Sequence, residues 1–139
     1  MPHTSNENVE SVMLTYYPEV NSKYENKELE AKWNKIIALK ENVAKKLEEA
    51  RAAKVIGHSL NAKVVISAER AEYDFLKENE ELLMTVFIVS GLDIVQGTSD
   101  IKVEVADGEK CERCWMYSTT VGEDKENPTI CHRCSENLK

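Results

Sequence analysis

The spacing of hydrophobic positions along this chain switches between helical and strand periods, and each switch marks an element. Leu29, Trp33, Ile36, Ile37, Val43, Ala44, Leu47 and Ala50 recur every three or four residues, which places them on one face of a long amphipathic helix. The stretch from Asn21-Ser22 to Asn26 supplies N-cap candidates for it, and Gly57 is its expected stop, since glycine takes the left-handed C-cap conformation without steric cost. Leu60, Ala62, Val64 and Ile66 then alternate with Asn61, Lys63, Val65 and Ser67, the period-two signature of a strand with one buried face. Ala68 to about Asn79 reads as a second, acidic helix with Tyr73 and Leu76 turned inward. Val86-Phe87-Ile88-Val89 reads as a short buried strand that breaks at Gly91. Leu92 to Gln96 and Ile101 to Val105 look like a pair of strands joined across Gly97-Thr98-Ser99-Asp100. Ahead of the long helix, residues 1–26 are polar and irregular apart from Val12-Met13-Leu14, and Pro18 biases Tyr17 toward an extended conformation, so this part is expected to be a strap.

Charge alters the picture locally. The chain carries 18 basic and 25 acidic side chains, a net −7, which excludes a general polyanion binder but not a local nucleic-acid patch. Lys27 to Lys54 holds eight basic against five acidic residues, whereas Glu69 to Glu81 holds two against six. The long helix is therefore the better-placed surface for an RNA backbone, although alternating Glu and Lys on a helix is most often a solvated face. With 139 residues, 42% hydrophobic and 31% charged, the chain has the balance of one soluble domain plus a small appendage. Its apolar runs are too short to span a bilayer. The start, Met1-Pro2-His3-Thr4-Ser5-Asn6-Glu7, lacks a signal-peptide pattern, so a cytoplasmic monomer without a membrane is expected.

All four cysteines fall near the carboxy terminus as Cys111-Glu112-Arg113-Cys114 and Cys131-His132-Arg133-Cys134, a C-x₂-C-x₁₆-C-x₂-C pattern. Two knuckles of this kind on neighbouring hairpins close a tetrahedron of thiolates about one zinc ion. The surrounding segment has few apolar residues (Trp115, Met116, Tyr117, Val121, Ile130, Leu138), so a metal would supply stability it otherwise lacks. A disulfide pair suits a cytosolic chain poorly, and a thioredoxin-type redox pair does not explain two matched motifs. Iron in the same four thiolates is not separated from zinc by spacing. Four cysteines close the shell, which makes the ion structural and leaves His132 facing solvent.

The predicted fold class is thus α+β: a long amphipathic helix and a second helix on one face of a small mixed β-sheet, followed by a C-terminal Cys₄ zinc ribbon. The expected divisions are a strap over 1–26, an α+β domain over 27–107 and the ribbon over 108–139. Arg113 and Arg133 hold equivalent places in the two knuckles, and Trp115 and Tyr117 follow the first. Guanidinium to phosphate and ring to base is the chemistry of single-stranded RNA recognition, which makes these four the candidate RNA contacts. The competing readings are that the arginines neutralise the zinc–thiolate cluster and that Trp115 is the core of the small module; for Trp115 the core is expected. No catalytic constellation is present: His3, His58 and His132 stand in separate contexts, and Gly57-His58-Ser59 lacks a glycine-rich phosphate loop.

Lys110-Cys111-Glu112-Arg113-Cys114-Trp115-Met116-Tyr117, then Val121-Gly122, then Asn127-Pro128-Thr129-Ile130-Cys131-His132-Arg133-Cys134 resembles the zinc-binding carboxy-terminal segment of bacterial isoleucyl-tRNA synthetases. Glu10-Ser11-Val12-Met13-Leu14 with Pro18-Glu19 resembles the segment that leaves their anticodon-binding helical domain. Trp33, Val43 through Glu49-Ala50-Arg51, and Ile56-Gly57-His58-Ser59-Leu60-Asn61-Ala62 resemble the helix and turn that follow, and Ile88-Val89-Ser90 fits the next strand. The resemblance runs in family order from about Glu10 to Arg133. Met13 stands where the family often has histidine, and Tyr17 where tryptophan or phenylalanine usually precedes the proline. The ATP-binding signatures, the catalytic domain and the editing domain are missing, so the chain looks like part of a longer enzyme. The resemblance implies a parent that attaches isoleucine to tRNA with ATP and Mg²⁺, neither bound here, and a fragment that uses structural zinc to grip the anticodon side of tRNA(Ile), partnered by the remainder of the synthetase. A zinc-ribbon scaffolding module without RNA contact is the alternative, and a stand-alone iron–sulfur carrier a third.

Overall fold

A computed structural model describes residues 19–138 together with Ser11, Met13 and Tyr16. Most of the expected strap lies outside these residues; Ser22–Tyr24 forms one 3₁₀ turn, capped by the Asn21 side chain. Helix α1 spans Lys27–Ala52, and Asn26 caps it by accepting the Leu29 N–H on Oδ1 at 3.0 Å. Its apolar stripe is only half used. Ile36, Val43 and Leu47 are buried, while Leu29, Trp33 and Ile37 remain exposed toward the amino-terminal end.

The stop of α1 differs from expectation. Lys54, at φ 59°, takes the left-handed position, not Gly57. Val55 N–H bonds to Ala50 O at 2.9 Å and Lys54 N–H to Arg51 O at 3.0 Å, the paired bonds of a Schellman cap. A short 3₁₀ turn, Ser59–Asn61, leads into strand β1, Ala62–Ala68. Here the alternation is obeyed: Ala62, Val64, Ile66 and Ala68 are buried and the residues between them are half-exposed.

Helix α2 covers Arg70–Glu78, with Leu76 fully buried and Tyr73 half-buried. After Asn79, whose side chain donates to Phe75 O at 2.7 Å, helix α3 runs Glu80–Phe87. The expected strand at Val86–Val89 is therefore absent: Val86 and Phe87 close α3, and Ile88 caps it at φ 57°. Leu83 and Phe87, four apart, are both buried, so the short apolar run is one side of a helix continued. A run of four apolar residues carries no period of its own, which is why it misleads.

Strands β2, Gly91–Gln96, and β3, Asp100–Val105, are where the pattern places them, but they do not pair with each other. The sheet order is β2-β1-β3, with β1 parallel to β2 and antiparallel to β3. The three residues between β2 and β3 cross the end of β1, where Gly97 N–H bonds to Ala68 O at 3.0 Å. Register aligns Val103, Val64 and Leu92 in one row and Ile101, Ile66 and Ile94 in the next. Those rows and the buried residues of α1, α2 and α3 form a single core, so the helices share one sheet face, as the α+β expectation holds. On the other face Lys63 bridges Asp93 at 2.8 Å and Asp107 at 3.4 Å. No helix among the described residues is long and apolar enough to cross a membrane.

Candidate metal centre

Beyond β3 the chain turns at Gly108, whose φ of +84° and close approach to the Ser118 backbone admit no side chain; a Cβ there would collide with the Ser118 carbonyl. Two-residue strands β4, Glu109–Lys110, and β5, Tyr117–Ser118, then pair in antiparallel fashion. The first knuckle closes between them. Cys111 N–H bonds to Met116 O and Trp115 N–H to Cys111 O, both at 2.9 Å, and Trp115 takes φ 66° to complete the turn. The second knuckle is not on a hairpin. Cys131 is the N-cap of the short helix α4, His132–Glu136, and Cys134 lies in its only full turn.

The four sulfurs converge within 4.8 Å of one another, with Cys114 Sγ 3.9 Å from Cys131 Sγ. Thiolates at ~2.3 Å from a shared zinc ion stand ~3.8 Å apart in a tetrahedron. Donor type, number and spacing therefore fit one zinc ion. Cys111, Cys131 and Cys134 are buried and Cys114 is half-buried; with Ile130 and the half-buried Val121 they make up the module's own small core.

Electrostatics divides the four thiols. Burial tends to raise Cys111, but N–H groups of Cys114, Cys131 and Arg113 outweigh it and hold the thiol down at about 6. Burial pushes Cys134 up to about 12, reinforced by hydrogen bonding to the other three sulfurs. Arg133 is raised by its hydrogen bond to Cys114, with further attraction from Cys131 and Cys134, and Nη2 also donates to Met116 Sδ at 3.3 Å. Arg113 Nη1 donates to Cys134 O at 2.8 Å. Arg133 thus faces the thiols themselves, whereas Arg113 holds the backbone carbonyl of the second knuckle.

Trp115 corrects the expectation that it forms the module's core. It is 59% exposed, and its ring lies under the Lys110 ammonium, 4.6 Å from the centroid. Tyr117 is half-buried with its ring 6.3 Å from that of His58. His132 is exposed between Glu136 (3.4 Å) and Glu123 (4.0 Å), as a solvent-facing residue should be. Sequence reading missed Lys110, Ser90 and Asp124. The Asp124 carboxylate accepts from the Ser135 hydroxyl, Glu126 N–H and Asn127 Nδ2, which hold it down at about 2 and tie the loop before the second knuckle to α4. The signal for Asp124 was legible as an Asx-turn residue two before Glu126.

Residues 108–137 match the family described as a zinc finger found in FPG and IleRS. The chain is 50% identical over 137 residues to the isoleucine–tRNA ligase of Caldicellulosiruptor saccharolyticus, covering 96% of this chain and 15% of that protein. It is 43% identical over 153 residues to the same-named protein of Caldanaerobacter subterraneus subsp. tengcongensis, covering 100% of this chain and 16% of that one. The Geobacter sulfurreducens isoleucine–tRNA ligase is 40% identical over 93% of the chain. The chain corresponds to a C-terminal part of isoleucine–tRNA ligases. It represents the zinc-binding region of these ligases and spans about 15% of the length of the curated relatives it matches. Family and donor set together resolve the open choice of metal: this is a structural zinc module, and iron has no support.

Proposed function

We propose that this region serves isoleucine–tRNA ligase as a recognition element for the anticodon side of tRNA(Ile), with one structural zinc held by Cys111, Cys114, Cys131 and Cys134. The parent enzyme attaches isoleucine to tRNA with ATP and Mg²⁺, and these residues supply none of that catalysis. Three units divide the work: a strap over 1–26, the α+β layer over 27–107 and the zinc module over 108–139, within a cytoplasmic monomer.

One observation carries the RNA reading. Trp115 is a bulky residue at positive φ, a conformation that costs about 1–3 kcal/mol, and yet its ring faces solvent. The knuckle turn sets that backbone conformation, closed by the Trp115 N–H on Cys111 O, and it leaves the ring outside the module's core as a platform for a stacked base, with Lys110 beside it for a phosphate. Tyr117 flanks the same knuckle. Arg113 and Arg133 are exposed at their residues and keep donor groups beyond those used on Cys134 O and Met116 Sδ, so they add phosphate contacts while bracing the cluster. Zinc makes the presentation rigid, which lowers the ordering cost of binding.

Trp33 and Trp115 are the two tryptophans, so Trp33→Phe leaves a single reporter. Titrating that variant with tRNA(Ile) is expected to quench Trp115 fluorescence, with affinity falling steeply as salt rises. Trp115→Ala should weaken binding about tenfold or more, by the value of base–aromatic stacking. Unchanged affinity and no salt dependence would favour the scaffolding alternative.

A further inference from the structure

The zinc module meets the α+β layer at one end of the sheet, where β1 and β2 begin and β3 ends. Among the described residues one hydrogen bond crosses from residues 19–107 to residues 108–138: Tyr117 N–H donates to Ser90 Oγ at 2.7 Å. Other contacts at this junction include the tilted ring pair of Tyr117 and His58, 6.3 Å apart, and the lining of a cavity of about 210 Å³ with Met84 and Ser90 on one side and Met116 and Tyr117 on the other. Methionine contacts are soft and non-directional, and a tilted ring pair at 6.3 Å tolerates sliding, so these contacts set the angle between the two bodies only loosely. The hydrogen bond does not.

Ser90 is itself fixed. Its hydroxyl donates to Leu60 O at 2.6 Å, thirty residues back along the chain, and its N–H bonds to Ala62 O at 3.1 Å. With the proton committed to Leu60, the oxygen lone pairs are aimed at one place, and the Tyr117 N–H occupies it. Val89 before it is buried, and Gly91 after it lies against the Lys63 side chain, so the backbone at this point belongs to the rigid sheet. Tyr117 opens β5 and pairs with Lys110, the residues on either side of the first knuckle. A hydroxyl that locks Tyr117 locks the knuckle.

We infer that Ser90 is a positioning residue that sets the orientation of the zinc module on the α+β layer, and with it the angle at which Trp115 meets RNA; the second half rests on the tRNA reading above. Without the hydroxyl, residues 109–138 keep their zinc and fold but swing on the Asp107-Gly108 connection. The competent orientation becomes one of several, and apparent affinity for RNA falls in proportion to its population.

The test uses the zinc-loaded 139-residue protein, with nitrogen-15 relaxation to read the tumbling of each half and a tRNA(Ile) titration alongside. In the wild type, residues 62–105 and 109–138 are expected to share one correlation time. In Ser90→Ala the second group should tumble faster with zinc still at one per chain, tRNA affinity should drop about fivefold, the effect of one hydrogen bond on an equilibrium, and Ser90→Thr should restore both. A single shared correlation time in Ser90→Ala would overturn the proposal. Should Ser90→Ala fail to fold, amide exchange in the wild type decides: a protected Tyr117 N–H supports the pin, and one exchanging like an open loop refutes it. Separate tumbling with unchanged tRNA affinity would uphold Ser90 as the positioning residue and remove the RNA reading instead.

Discussion

Three glycines offer a graded test of how the zinc module is built. Gly57 has nothing within 4 Å of where a Cβ would stand and does not adopt positive φ. Gly57→Ala is therefore expected to be neutral, or to stabilise by about 0.4–1 kcal/mol through the unfolded chain. Gly122 has φ +91°, but its added Cβ would meet only Pro128 O, at 3.7 Å. Gly122→Ala pays backbone strain alone, about 1–2 kcal/mol. Gly108 has both problems, positive φ and a collision with the backbone of Ser118 across the β4–β5 pair. Relief requires that two-residue pair to part, and it holds the first knuckle, so the loss should reach roughly 3 kcal/mol or more. Since the folded module is the zinc-binding form, each ~1.4 kcal/mol lowers apparent zinc affinity tenfold. Competition with a chromophoric chelator should therefore give no change for Gly57→Ala, roughly a tenfold loss for Gly122→Ala, and at least a hundredfold loss for Gly108→Ala. Helical circular dichroism from α1 should persist in all three. Gly108→Ala binding zinc within threefold of wild type would refute this account of the module's geometry.

Other outcomes follow from the same structure. Leu83→Ala removes a fully buried side chain from the α+β core and should cost about 3–5 kcal/mol by urea denaturation, while zinc stoichiometry stays unchanged. Lys54→Gly places glycine where the chain already adopts φ 59°, and should stabilise by about 1 kcal/mol in the same assay. Zinc affinity should rise with pH. Cys134, pushed up to about 12, must shed a proton to bind metal throughout pH 6–9, whereas Cys111, held at about 6, is already a thiolate over most of that window and adds slope only below it. In the metal-free protein the signs are opposite: the depressed Cys111 stabilises the fold above its ordinary value of 9.0 and loses that contribution as pH falls through about 6, while the raised Cys134 stabilises it below 9.0 and loses that as pH rises toward about 12. Chelator competition from pH 6 to 9 checks the zinc slope, and a flat profile would contradict it.

Where a buried face ran the length of an element, the sequence was readable. The alternation of Ala62, Val64 and Ile66 named β1 and its inward side, and the spacing of Ile36, Val43 and Leu47 named α1. The Cys₄ pattern named the zinc site because ligand chemistry fixes spacing more tightly than packing does. What stayed hidden was non-local. Val86-Phe87-Ile88-Val89 looked like a strand because helix or strand is settled by Leu83 pairing with Phe87 in the core, not by the run itself. The central place of β1 was invisible because three residues suffice to step across a strand end as well as to make a hairpin. Lys54 displaced Gly57 because α1 needed its bonds to Arg51 and Ala50 closed three residues earlier. Trp115 looked like core by composition, but the four cysteines fill the space it was assigned. A single serine joining two bodies has no sequence signature at all.

The order of parts along the chain has a consequence for how the protein comes to be made. Every strand of the three-stranded sheet is complete at Val105, ahead of the first metal ligand, and the last ligand, Cys134, follows 29 residues later. At ~5–20 residues per second of synthesis, a nascent chain spends seconds with its sheet able to form and its thiols still arriving. Through that interval the Ser90 hydroxyl already stands at the sheet end, bonded to Leu60 and open toward water. Metal capture then follows the folding of the sheet, and the module is born onto a dock that is waiting for it.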